Sequence, residues 1–290
     1  MTMKLKNIIK FYLICIMLAG ICFGKEQIAK AADTAYVELK SDTEYSQYDV
    51  TGDGKADKVV IKRVKNEEDD LNDYITLKVF INDQIALERK EPYDPYWAVN
   101  LIRLKNGKIF FEIKDCYASS RVNTHRLYAY NNGKVKCMYD FKKYYELYAY
   151  DYLVNIEKIS GNTIETKVDA QFYTSGSIKF NMNVSYKDGK IIRTSNQYDL
   201  RYKEMYHKNK WTVNKKIKVY KKAGSKKLAY TLQKRNIIKI NKVIYKNNKV
   251  YFQVKNKGGK GKTGYIPATK NARATYDNKY KCFKEIEFVG

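Results

Sequence analysis

Short dipeptides that favour positive φ recur along the first two-thirds of this chain, each between runs that alternate apolar with polar residues. One series is Asp53-Gly54-Lys55, Asn106-Gly107-Lys108 and Gly161-Asn162; a second is Asn82-Asp83, Asn132-Gly133-Lys134 and Asp188-Gly189-Lys190. Such pairs suit the central positions of tight hairpin turns, which demand left-handed backbone angles. The flanks agree, because Ile75, Leu77, Val79 and Ile81 alternate with polar neighbours, as do Ile178, Phe180, Met182 and Val184. Period two is the pattern of half-buried strands. Each series advances by about 50 residues, so the region reads as three units of two hairpins, four strands apiece. The middle unit is the clearest, with strands expected at 99–104, 109–114, 126–130 and 135–141. Four-stranded units of this length resemble propeller blades, and three of them can make an open arc, a sandwich-like stack or a short propeller. The 28 Tyr and 11 Phe fit the same all-β reading, since aromatic side chains pack well on pleated, half-buried surfaces. Within 92–97, Pro-Tyr-Asp-Pro-Tyr-Trp reads as a loop whose rings, if buried, close the end of a sheet and, if exposed, stack on a sugar.

At the N-terminus, Lys4, Lys6 and Lys10 precede an uncharged apolar stretch over 11–24, and Ala29-Lys30-Ala31 supplies the small residues of a cleavage site. The apolar stretch is shorter than the roughly 20 residues that cross a bilayer. Residues 1–31 are therefore expected to be a removed signal peptide, leaving a secreted chain from Ala32 with no membrane span. Ile21 directly before Cys22 breaks the pattern of a lipoprotein signal. Cleavage leaves Cys116, Cys137 and Cys282, which allow at most one intramolecular bridge. Cys116 and Cys137 flank a hairpin and can pair, while sparse thiol usage favours three free cysteines.

The formal net charge of +25 is unevenly placed. Residues 32–210 hold 29 Lys+Arg against 27 Asp+Glu, whereas residues 211–270 hold 18 Lys+Arg and no acid at all. The break predicts a domain boundary near Trp211, between a β-repeat domain (32–210) and a basic domain with a C-terminal extension (211–290). There are two His, and no nucleophile elbow, P-loop or HExxH motif. The chain reads as a non-catalytic binding protein. The enzyme-class alternative is a cell-wall or polysaccharide hydrolase with a cryptic carboxylate site.

The most specific chemical motif is the run from Asp49 to Asp57, Asp-Val-Thr-Gly-Asp-Gly-Lys-Ala-Asp. Asp49, Thr51, Asp53 and Asp57 offer side-chain oxygens at alternate positions, and the Lys55 carbonyl offers another, a donor set that suits a hard cation such as Ca²⁺. Val60 stands where an EF-hand has its bidentate Glu, and a strand is expected to follow over 58–62. That combination resembles the calcium motif of FG-GAP and VCBS-type repeats, blade elements of integrin-like propellers. The resemblance implies one structural Ca²⁺, because the other two units lack the carboxylates.

Over 212–268 the strands are short and the turns polar, which predicts a small barrel of five strands. Lys218-Val219-Tyr220, Leu232 before Lys234-Arg235-Asn236, Tyr251-Phe252-Gln253-Val254 and Gly261-Lys262-Thr263-Gly264-Tyr265-Ile266 resemble a bacterial SH3 domain. Tyr265 replaces the Trp common in that family, Asn236 stands where Gly is frequent, and the usual Arg near the first strand is absent. The resemblance implies binding to peptidoglycan. Independently, an acid-free run of positive charge must seek polyanions. For an exported protein these include anionic wall polymer, and the setting is extracellular or on a Gram-positive cell wall. Candidate ligand contacts are Tyr220, Lys221, Lys222, Lys226, Lys227, Tyr251, Lys260, Lys262 and Tyr265, with Tyr230 and Tyr245 as further rings for stacking on sugars or bases. The β-repeat domain would add contacts to extracellular protein or glycan. Extracellular nucleic acid is a third class of partner, bound without sequence preference.

Overall fold

The computed structural model describes residues 34–65, 75–91, 96–116, 122–144, 148–205, 209–258, 261–270 and 281–286. The expected signal segment 1–31 and Lys260 lie outside them. Among the described residues the regular structure is β-strand, apart from two single 3₁₀ turns.

Strand β1 (Ala35–Glu38) is followed by β2 (Glu44–Tyr48), β3 (Asp57–Lys65), β4 (Ile75–Ile81) and β5 (Gln84–Glu91). Strands β2 to β5 lie side by side in chain order as an antiparallel meander. A second meander comprises β6 (Tyr96–Arg103), β7 (Ile109–Cys116), β8 (Val122–Asn131) and β9 (Lys134–Asp140), and β1 pairs with its β6 edge. The third sheet holds β10 (Ala149–Ser160), β11 (Thr163–Phe172), β12 (Gly176–Asn181), β13 (Val184–Lys187) and β14 (Lys190–Arg193). The last strands are β15 (Gln197–Asp199), β16 (Trp211–Thr212), β17 (Ile217–Tyr220), β18 (Leu228–Leu232), β19 (Ile237–Lys246), β20 (Lys249–Asn256) and β21 (Thr263–Pro267). They form a seven-stranded sheet ordered β15-β19-β20-β21-β17-β18, with β16 also on β19. The strands expected within 212–268 are present, with 237–240 and 243–245 joined in the single strand β19, and among the described residues none of the four sheets closes into a barrel.

The turn chemistry explains the hairpins. Asn82 and Asp83, Asn132 and Gly133, and Asp188 and Gly189 all have positive φ, as the two-residue hairpin turns at these positions require. The second sheet is a middle layer, because β7 is buried on both faces. Ile109, Phe111 and Ile113 pack with Trp97, Val99 and the first sheet's Val59, Ile61, Leu77 and Val79. On the opposite face Phe110, Ile102 and Leu127 meet Val154, Val168 and Phe180, in a core that continues to Val219, Ile240 and Phe252. Strand β11 is one-sided, burying Ile164, Val168, Ala170 and Phe172 at alternate positions. Phe172 meets Phe252 edge-on, with ring centroids 5.1 Å apart, an arrangement that adds about 0.5–1.5 kcal/mol beyond the buried area. Tyr198 in β15 pairs with Val243, and the Trp211 indole N–H donates to the Ser175 carbonyl at 3.1 Å. The last sheet therefore begins before the charge break at Trp211.

Register also separates the cysteines. On opposite flanks of β8, Cys116 lies across from Val122 and Cys137 across from Tyr128. Six residues of strand span about 20 Å, far beyond the Cα separation of a disulfide. Cys137 and Cys282 are free thiols.

Candidate functional site

The Asp49–Asp57 loop joins β2 to β3. Asp49 Oδ1 accepts the N–H groups of Gly52 (2.6 Å) and Asp53 (3.1 Å), and its Oδ2 accepts that of Gly54 (2.9 Å). Asp57 is 2% exposed. Its Oδ2 accepts the N–H groups of Val50 and Thr51 at 2.7 and 2.8 Å, and its Oδ1 takes the Asn82 amide at 2.7 Å and the Thr51 hydroxyl at 3.3 Å. Asn82 Oδ1 in turn accepts the Lys58 N–H at 2.9 Å, tying the loop to the β4–β5 turn. Asp53 and Lys55 are exposed, and Asp53 Oδ1 accepts the Lys55 N–H at 2.8 Å. The acidic side chains thus close the loop on its own backbone. The donors fit a hard cation in kind: Asp53 Oδ2 carries no protein hydrogen bond among the described residues, and Asp49 Oδ2 carries one. Asp57 spends its acceptor capacity on the protein.

The second candidate is the outward face of the seven-stranded sheet. Along β20, Val250, Phe252 and Val254 point into the core, so Lys249, Tyr251, Gln253 and Lys255 point away from it. Gln253 pairs with Tyr265 of β21, and Tyr265 pairs with Tyr220 of β17. The loop between β17 and β18 folds over this face, packing Ala223 on Ile244 and Tyr251 with Tyr265 alongside. The result is an open groove of about 430 Å³. Tyr220, Tyr251 and Tyr265 line it together with Lys218, Lys222, Lys226 and Lys249, and Leu228 and Pro267 contribute apolar surface. Gln253 Nε2 donates to the Tyr265 hydroxyl at 3.1 Å. Among the described residues none of the four lysines has a carboxylate partner.

Five of the nine expected contacts therefore converge: Tyr220, Lys222, Lys226, Tyr251 and Tyr265. Lys221, Lys227 and Lys262 are exposed but do not line the groove. The Lys221 N–H closes the loop on the Lys227 carbonyl, and the Lys262 carbonyl accepts the Tyr230 hydroxyl at 2.9 Å. Tyr245 is a core residue with the Arg193 guanidinium over its ring, and Tyr230 packs against the core. Lys218 and Lys249 were not anticipated. The signal for them was alternation, since each precedes a core residue (Val219 and Val250) in its strand.

A buried polar cluster lies in the middle layer. Glu112 Oε1 accepts the His125 Nε2–H at 2.6 Å, and Oε2 accepts the Tyr36 hydroxyl at 2.8 Å and the Asn100 amide at 2.7 Å. Burial pushes the Glu112 carboxyl up, but these three bonds and the His125 charge outweigh it and hold the group below its usual range. His125 is fully buried and stacks at 4.5 Å on Phe141. The pair anchors the sheet and offers no face to a substrate.

Among the described residues no helix is long and apolar enough to cross a membrane. No family model matches the chain, and no curated protein or solved structure matches it either.

Proposed function

We propose that this is a secreted, non-catalytic binding protein whose seven-stranded sheet carries an SH3-like module that attaches to anionic cell-wall polymer or peptidoglycan. The observation that carries the reading is the groove, where Tyr220, Tyr251 and Tyr265 are framed by lysines that have no carboxylate partner among the described residues, within a stretch that has no acid. Aromatic rings give sugar units an apolar platform, while unpaired ammonium groups attract phosphate or carboxylate from a distance. The meanders of the repeat region act as propeller-blade-like units that present extracellular protein or glycan contacts. Asp49, Thr51, Asp53 and the Lys55 carbonyl would hold one Ca²⁺, whose chemistry is structural, pinning the β2–β3 loop, while Asp57, its acceptors taken by the protein, braces that loop from behind.

Pull-down of the full chain on purified cell wall, with and without its teichoic acid and across a salt series, tests the attachment. Binding that falls with teichoic acid removal and with salt is expected. Failure to bind at any salt concentration would sink it, and preference for DNA over teichoic acid in competition would reassign the groove to nucleic acid.

A further inference from the structure

The same outward face carries a second concentration of positive charge that the groove does not use. Lys239 of β19 lies directly across from Lys255 of β20. Both point outward, because Ile238, Ile240 and Val254 beside them are buried. Lys210 immediately precedes the Trp211–Ile238 pair and extends the row toward β16. Lys257 adds a fourth ammonium group, and its pKa is lowered by desolvation and then by Lys239 and Lys210. Like charges directly opposed in a ladder oppose folding, so packing gives no reason for the row.

A cleft of about 370 Å³ opens beside it, lined by Lys239, Asn209, Asn241, Tyr202, Asp199 and Leu200. Asn209 Oδ1 accepts the Ile240 N–H at 3.0 Å, which leaves its amide hydrogens as donors. The one acid in the lining, Asp199, is paired with Lys242 at 2.9 Å. Tyr202 is 49% exposed and supplies a ring at the cleft. From Lys249 at the groove to Lys255 at the row is six residues of β20, about 20 Å of extended strand. The outward residues between them are Tyr251 and Gln253.

We propose that Lys210, Lys239, Lys255 and Lys257, with the adjoining cleft, form a second anion subsite, so that a linear phosphodiester polymer lies along β20 and is gripped at both ends. This rests on the groove being an anion-binding site. A ligand held at two linked places gains effective concentration that a short anion cannot gain.

The test uses the full chain with tripolyphosphate, too short to reach both ends, and a linear polyphosphate long enough to span them. The wild type should bind the long chain about tenfold or more tighter, per phosphate, than tripolyphosphate. In a Lys239→Gln/Lys255→Gln/Lys257→Gln variant that gain should shrink to about threefold or less, while groove binding of tripolyphosphate changes by about twofold at most. A Lys216→Gln/Lys234→Gln/Arg235→Gln variant removes equal charge elsewhere and should keep the gain. Equal loss in both variants, or an undiminished gain in the first, overturns the second subsite while leaving the groove. No binding of either probe by the wild type would refute the groove reading itself.

Discussion

Gly264 is where the groove depends most sharply on a missing side chain. A Cβ built there would lie 2.4 Å from Val219 Cγ1, 3.0 Å from the Tyr220 carbonyl oxygen and 3.4 Å from the Tyr230 ring. Carbon atoms pack at about 3.5–4.0 Å, so a Gly264→Ala methyl needs Val219 to retreat by roughly 1.1–1.6 Å. Val219 is fully buried and has no space to give. The carbonyl cannot shift without loosening the Tyr220–Tyr265 pair that joins β17 to β21. Overpacking costs about 1–3 kcal/mol, and two immovable neighbours place this case at about 2–3 kcal/mol. For a cooperative unit of 150–250 residues that is a fall in Tm of about 4–12 °C. Urea and thermal unfolding should be compared with Gly258→Ala, where the nearest atom to the new methyl is 4.0 Å away and the expected effect is within about 0.5 kcal/mol. Binding to wall polymer should weaken together with stability in Gly264→Ala alone. A Gly264→Ala protein as stable as the Gly258→Ala control would refute the close β17–β21 packing on which the groove is built.

Glu112→Gln turns one of the two acceptor oxygens into an NH2 donor, so at least one of His125, Tyr36 and Asn100 loses its acceptor, and should cost about 1–3 kcal/mol at pH 7. Because the native carboxyl sits below its usual range, its contribution is present above the unfolded value of about 4.3 and is lost as pH falls through the lower native value. Urea midpoints at neutral and acidic pH should therefore show the variant deficit shrinking in acid; a constant deficit contradicts the charge-based origin. Calcium added at about 100 times its Kd should raise stability by about 2.7 kcal/mol, and Asp53→Asn should remove that increment while barely changing the calcium-free protein. A calcium-independent Tm in the wild type would reduce the loop to a self-closed turn. Lys222→Gln/Lys226→Gln should lower the salt dependence of polyanion binding by up to about two counterions, read from the slope of log affinity against log salt.

Much of the architecture was legible because it is local. Positive-φ turn pairs announced the hairpins at Asn82-Asp83, Asn132-Gly133 and Asp188-Gly189, and alternation announced β4 and β12. What was not legible is non-local. Nothing around Ala35–Glu38 says that it adds to β6 across two intervening hairpins. His125 is isolated in sequence, so its pairing with Glu112 across the β7–β8 ladder emerges only from register. The groove was half visible: lysine and tyrosine composition picked out the stretch that lines it, but not which rings face outward. Tyr245 and Tyr251 look alike in sequence, yet a bulge at Asn241 in β19 and the parity of β20 send the first into the core and the second into the groove.

The most direct measurement is a hydrogen-exchange footprint of the full chain with and without purified teichoic acid. Protection is expected over 218–228, 249–255 and 263–267, where the outward face and its covering loop gather lysine and tyrosine. The first meander, 44–91, should exchange as in the free protein. Protection confined to that meander, or saturating binding that leaves the basic sheet unchanged, would contradict the assignment of polyanion binding to this face.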